Sequence, residues 1–161
     1  SASVNMLKFY NIIATTEDYS KSNTQTYTLK TSTNFKKIPN IEIGYTLTKN
    51  DYKSANRNTT FFTDMPFARL DYYFLDAFSL VAEYEFNHYY NNDKSVENEY
   101  DFLSSSLVYQ KKDSKWEYKL SATNIQNTTS LNDNNFDQFR ISNSKYFVQP
   151  RYVIFSAKYN L

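Results

Sequence analysis

Apolar and polar residues take turns along most of this chain, and that period of two constrains its fold more than any other feature. Ile41, Ile43, Tyr45 and Leu47 alternate with Glu42, Gly44, Thr46 and Thr48. Ala68, Leu70, Tyr72 and Phe74 alternate with Phe67, Arg69, Asp71 and Tyr73, and Phe78 to His88 repeats the pattern against Ser79, Val81, Glu83, Glu85 and Asn87. Trp116, Tyr118, Leu120 and Ala122 face Lys115, Glu117, Lys119 and Ser121, and Val153, Phe155, Ala157, Tyr159 and Leu161 close the chain against Tyr152, Ile154, Ser156, Lys158 and Asn160. Successive side chains of a strand point to opposite faces, so each segment reads as a strand with one apolar and one polar face. No segment carries a helical period.

The pattern predicts eight strands, at 4–17, 22–36, 40–50, 58–75, 77–91, 97–111, 114–126 and 138–161. The first and sixth alternate less cleanly; in the sixth, Leu103, Leu107 and Tyr109 mark the apolar face. Tight breaks fall at KKIPN (36–40), LDA (75–77) and KKDS (111–114), while EDYSKSN, KNDYKSANRN, NNDKSVEN and NIQNTTSLNDNNFDQ read as longer polar loops. Short turns on one edge and long polar loops on the other is the arrangement of outer-membrane barrels. The expectation is an all-β, antiparallel, up-and-down transmembrane β-barrel occupying residues 1–161 as one domain. A half-buried sheet in a soluble sandwich or lipocalin-like barrel alternates in the same way, so the pattern favours the membrane reading without closing the question.

Composition fits that expectation. The 161 residues include 16 Tyr and 13 Phe but one Gly, and mean hydropathy is −0.70. Tyr carries an apolar ring and a polar tip, which suits surfaces half apolar and half wet, membrane-interface belts among them. Clusters near strand ends (Tyr72, Tyr73, Phe74 and Phe78 beside one tight turn; Phe86, Tyr89 and Tyr90 near a longer one) read as interfacial girdles. A net charge of +1 offers no basic field for nucleic acid. Cysteine is absent, so disulfides and thiolate chemistry are excluded. No apolar run is long enough for a spanning helix, and SASVNMLKFY does not read as a secretion signal.

On the barrel reading Leu70, Tyr72, Phe74, Leu80, Tyr84, Phe86, Trp116, Tyr118 and Leu120 face lipid, while Arg69, Asp71, Glu83, Glu85, Glu117, Lys119 and Lys158 face a wet lumen, with Phe67, Tyr73, Tyr89 and Tyr152 helping to fill it. Catalytic chemistry has little to stand on, and the chain reads as a non-enzyme without cofactor or metal. His88, the single histidine, reads as an interfacial residue before a catalytic base. Glu83 and Glu85 read as lumen lining before a carboxylate pair, and Asp133 with Asp137 as a solvated loop before a Ca²⁺ site. Asn58-Thr59-Thr60 and Asn127-Thr128-Thr129 match the glycosylation sequon, which carries little meaning in a bacterial outer membrane.

The last third carries a more specific signal. SLVYQKKDSKWEYKLSATNIQNT followed by SKYFVQPRYVIFSAKYNL resembles the end of TonB-dependent receptor barrels, in the outer-membrane β-barrel family of Bacteroidota. The resemblance rests on a Trp-containing strand leading to Asn124-Ile125, a polar loop, an aromatic before Pro150-Arg151-Tyr152, and an alternating terminal strand; SLVAEYEFNHYYNN looks similar to the same family. Leu161 stands where that family usually ends in Phe. The resemblance implies the outer membrane of a Gram-negative bacterium, a transport role, and a 22-stranded barrel around an N-terminal plug. These residues hold no plug or TonB box, so they look like the C-terminal eight strands of such a barrel, or a small barrel of their own. Implied partners are outer-membrane lipid, the missing N-terminal barrel and plug, TonB through that plug, and a surface lipoprotein. Val153, Phe155, Tyr159 and Leu161 would be the signal read by the barrel-assembly machinery.

Overall fold

The computed structural model describes residues 2–13, 16–54, 57–136 and 141–160, with side chains described for 21–53, 58–131 and 144–160. These residues form strands without helices: β1 (Ala2–Ile13), β2 (Thr16–Ser32), β3 (Asn40–Ser54), β4 (Arg57–Phe74), β5 (Phe78–Asn91), β6 (Glu97–Tyr109), β7 (Trp116–Thr123), β8 (Ser130–Phe136), β9 (Ile141–Phe147) and β10 (Tyr152–Tyr159). Strands β1 to β7 and β10 make one sheet in that order, each antiparallel to its neighbour, and β8 pairs with β9 as a separate two-stranded ribbon. The eight segments expected from alternation therefore supply the eight strands of the main sheet. Among the described residues β1 and β10 do not pair with each other, so the sheet is open between them.

Two expectations need correction. The segment at 138–161 is not one strand: it divides into β9 and β10 around residues 148–151. Pro150 lacks an N–H and fixes its own φ, so a ladder cannot run through it. Residues 138–140 lie outside the described residues. The polar stretches also hold far more strand than loop. EDYSKSN lies within β2, which pairs with β1 up to Ile13↔Thr16, and β3 and β4 pair up to Ser54↔Arg57 within KNDYKSANRN. NIQNTTSLNDNNFDQ contains β8. Polar residues on both faces erase the period of two, yet the backbone ladder needs no apolar face. Cross-strand polar contacts support it: Thr26 and Thr48 hydroxyls lie 3.3 Å apart, and Thr60 Oγ1 donates to Asp51 Oδ1 at 2.7 Å.

The tight connections turn without glycine. Leu75 and Asp76 both take φ of 51°, and the Ala77 amide donates to Phe74 O at 3.4 Å. Two consecutive left-handed residues give a turn whose twist matches the flanking strands, within a three-residue connection between the paired Phe74 and Phe78. The one glycine serves packing instead. Gly44 lies directly opposite Phe67, whose ring covers it where a Cβ would have to go. Pro66 interrupts the β4–β5 ladder, which runs Asp64↔His88 and resumes at Phe67↔Glu85 in the same register.

Candidate membrane interface

The register sorts the side chains. Ile41↔Leu70, Leu70↔Ala82, Tyr72↔Leu80, Leu80↔Leu107, Leu107↔Leu120 and Leu120↔Phe155 are direct cross-strand partners. One face thus carries Leu70, Tyr72, Phe74, Leu80, Tyr84, Phe86, Trp116, Tyr118 and Leu120 together with Leu103, Leu107, Tyr109, Val153, Phe155 and Tyr159. Arg69↔Glu83, Glu42↔Arg69 and Lys158↔Glu117 are likewise opposed. The other face carries Arg69, Asp71, Glu83, Glu85, Glu117, Lys119 and Lys158, with Phe67, Tyr73, Tyr89 and Tyr152. Tyr73 and Tyr89 therefore stand apart from the aromatics beside them in sequence. Leu161 lies outside the described residues.

The apolar face is uncovered. Among the described residues Tyr52 and Phe61 are the buried apolar side chains, whereas Leu29 is 79 % exposed, Phe155 66 % and Val153 61 %. Contiguous exposed apolar surface of this kind ordinarily marks an interaction site. Burial that does occur is concentrated on the polar face beyond the apolar zone, where Phe61 stacks on Tyr89 at 5.4 Å beside Asn87 and Asn91.

This face has zones. At the tight-turn rim the rings form an unbroken series from β4 to β10: Tyr72–Phe74 at 5.0 Å, Phe74–Phe78 at 5.3 Å, Phe78–Tyr109 at 4.8 Å, Tyr109–Tyr118 at 6.3 Å and Tyr118–Phe155 at 6.2 Å. Trp116 joins it to Tyr159 at 4.9 Å. A mainly small and aliphatic zone follows, with Leu70, Ala68, Leu80, Ala82, Leu107, Leu103, Leu120, Ala122 and Val153, and Tyr84 set between Ala68 and Leu103. A second aromatic group then appears in Phe86, His88, Tyr90 and Phe62, with His88–Tyr90 at 4.5 Å and Phe62–Tyr90 at 5.3 Å. Phe78 and Phe86, one from each group, are eight residues apart on β5, about 26 Å along a strand. Polar residues share the level of this second group, Glu99 opposite His88, Glu97 opposite Tyr90 and Lys49 opposite Phe62, and the same face continues polar beyond it with Asp51 and Asn23.

The polar face is a lattice of charge. Arg69 donates to Asp71 through Nε at 2.7 Å and Nη2 at 2.9 Å, pairs with Glu83 across the β4–β5 ladder, and lies opposite Glu42, which Lys30 approaches to 3.3 Å. Glu85 accepts from Asn87 Nδ2 at 2.7 Å. Glu83 and Glu85 are thus separately engaged. With Glu42, Phe67, Arg69 and Phe102 they line a cleft of about 410 Å³.

At the far end, the loop after β5 is held by local bonds. Asn91 Oδ1 accepts from the Val96 amide at 3.1 Å, and Asp93 accepts from the Ser95 amide at 3.1 Å; the Ser95 bonds hold the Asp93 carboxyl below its ordinary range. His88 Nε2 lies 2.8 Å from Glu97 Oε1, and that bond holds the Glu97 carboxyl low. Sequence alone placed His88 beside apolar neighbours and missed these carboxylates, because Glu97 and Glu99 reach it through strand pairing. Of the Asp133–Asp137 pair, the Asp133 side chain and all of Asp137 lie outside the described residues.

The two parts of the terminal motif meet. Asn124 Nδ2 donates to Gln149 O at 2.9 Å and to Thr128 O at 2.8 Å, and Arg151 N donates to Asn127 Oδ1 at 3.1 Å. Compared with known proteins, the chain matches no family model, no curated protein and no solved structure.

Proposed function

We propose that this chain is a segment of an outer-membrane β-barrel of the TonB-dependent receptor type, its apolar face against lipid and its charged face toward a lumen or plug. The observation that carries the reading is the zoning of the apolar face: two aromatic groups eight residues apart along β5 with a mainly aliphatic stretch between, interrupted by Tyr84, about the length a tilted strand needs to cross between the girdles of a transmembrane barrel. Strands β4 and β5 each give this band nine residues, Pro66–Phe74 and Phe78–Phe86, within the span a tilted strand needs. The polar extensions of β2 to β6 then stand outside the bilayer, where a ligand or a surface lipoprotein would dock. Among the described residues β1 and β10 are the unpaired edges of the sheet, which fits a larger barrel better than closure on eight strands. TonB would act through a plug supplied by the rest of the barrel.

Trp116, the single tryptophan, provides the test. It belongs to the rim series and its side chain is part-exposed. In vesicles of lipids brominated along the acyl chain, its fluorescence is expected to be quenched, more strongly by shallow than by deep bromines, with heat-modifiable gel migration of the folded protein. A monodisperse protein in detergent-free buffer whose Trp116 is unaffected by brominated lipid overturns the reading.

A further inference from the structure

We propose that His88, Glu97 and Glu99 form a zinc-binding site at the polar end of the β5–β6 hairpin. The three side chains come from two adjacent strands. Glu99 lies directly opposite His88 in the ladder, and Glu97 lies opposite Tyr90, two residues further along the same face. Both carboxylates converge on one ring atom: Glu97 Oε1 is 2.8 Å and Glu99 Oε1 3.4 Å from His88 Nε2. Candidate ligand atoms of all three lie within 4.8 Å of one another. Tetrahedral zinc with bonds of 2.0 to 2.2 Å places its ligands roughly 3.3 Å apart, so a metal displacing the Nε2 proton needs only small side-chain shifts.

The surroundings favour this atom and this metal. Asp64 Oδ2 stands 3.9 Å from Nδ1 on the opposite side of the ring, and Tyr45 donates its hydroxyl to the same carboxylate. In the metal-free protein the 2.8 Å contact to Glu97 requires the proton on Nε2; when zinc takes that position the remaining ring proton sits on Nδ1, on the side where Asp64 stands. His88 is further fixed by its stack on Tyr90 at 4.5 Å. Three carboxylates around one imidazole repel one another unless a cation joins them. Lys94, 3.7 Å from Glu97, has a side chain 65 % exposed and can move away. One nitrogen and two oxygen donors with a position left for water suit zinc better than magnesium or calcium, which take oxygen ligands. The site lies on a paired hairpin, so it does not depend on the lipid reading.

The test uses the folded protein without a histidine tag, dialysed against buffered zinc and analysed for bound metal, with calcium as a control. Because His88 is the only histidine, the imidazole ¹⁵N signals report on this site alone. The expected result is about one zinc per chain, a shift of the Nε2 signal on zinc addition, and zinc affinity lowered at least about tenfold by His88→Ala and by Glu97→Gln combined with Glu99→Gln. Asp64→Asn, a change at a positioning residue, removes the carboxylate that faces Nδ1 and is expected to weaken zinc binding while leaving the metal-free Nε2 signal, set by the Glu97 bond, in place. The doubly substituted glutamine variant keeps polar groups at both positions, and circular dichroism of each variant checks that the sheet has formed. Zinc retention by His88→Ala equal to the wild type, or no zinc retained by the wild type, overturns the proposal.

Discussion

Asn124 Nδ2 donates to the backbone carbonyl of Gln149 at 2.9 Å, joining the end of β7 to the start of β10 across 25 residues of chain. The same amide group donates to Thr128 O at 2.8 Å, while Asn124 Oδ1 accepts from the Thr128 amide at 3.0 Å. Asn124 is 3 % exposed and takes a left-handed φ of 53°, which Asn tolerates better than most residues. The turn it organises is pinned to β6, since Ile125 N donates to Leu103 O at 2.7 Å and Thr128 Oγ1 to Asp101 O at 2.7 Å.

Asn124→Ala removes all three side-chain bonds, whose backbone partners at Thr128 and Gln149 are only partly buried. The expected cost is about 1–3 kcal/mol, from lost hydrogen bonds at roughly 1 kcal/mol each together with strain in the left-handed region. Urea unfolding followed by Trp116 emission checks this, with Asn127→Ala, which is exposed, as the milder comparison. A loss under 0.5 kcal/mol for Asn124→Ala would show that the turn does not hold β10 in place.

The cover that Phe67 gives Gly44 can be measured as a coupling. Gly44→Val pushes the ring from its place, with an expected cost of about 1–3 kcal/mol. In a Phe67→Ala background the ring is gone, and the same substitution should cost much less. Additive effects in the four-member cycle would mean that the two positions do not interact.

Two neighbouring positions on β7 separate the faces. If the apolar face meets hydrocarbon, Leu120→Arg, between the rim and the midplane, should cost about 1–3 kcal/mol in vesicles, between the values for a basic side chain at the interface and at the midplane. Lys119→Leu, one residue away on the charged face, should change stability by under about 0.5 kcal/mol. Equal effects at the two positions would count against a lipid-facing side.

The polar extension of β3 should respond to acid. Partial burial works against the charge on Asp51, but the Lys49 ammonium at 2.9 Å and the Thr60 hydroxyl at 2.7 Å outweigh it and hold its carboxyl below the ordinary range. A carboxyl whose folded pKa is depressed contributes stability above its unfolded value, near 3.9, and loses that contribution as pH falls through the lower folded value. Amide protection, measured against the intrinsic exchange rate at each pH, should therefore fall in the β3–β4 hairpin below about pH 4. Asp51→Asn should already be less protected at neutral pH and show less change on acidification. A variant that titrates like the wild type would place the acid response elsewhere.

Alternation alone determined the strands of the main sheet and their two faces. A period of two assigns Leu70, Leu80 and Leu120 to one side and Arg69, Glu83 and Lys119 to the other before any partner is known, because a strand side chain has only two directions to point. The polar halves of β2, β3 and β4 were illegible for the same reason: with polar residues on both sides there is no period to read, and their order comes from backbone pairing with a neighbouring strand. Tertiary structure also decided which distant residues meet. The rim series from Tyr72 to Phe155, the bond from Asn124 to Gln149, and the approach of Glu97 and Glu99 to His88 each depend on the register between strands. Register is fixed by pairing across the whole sheet, and no single strand contains it.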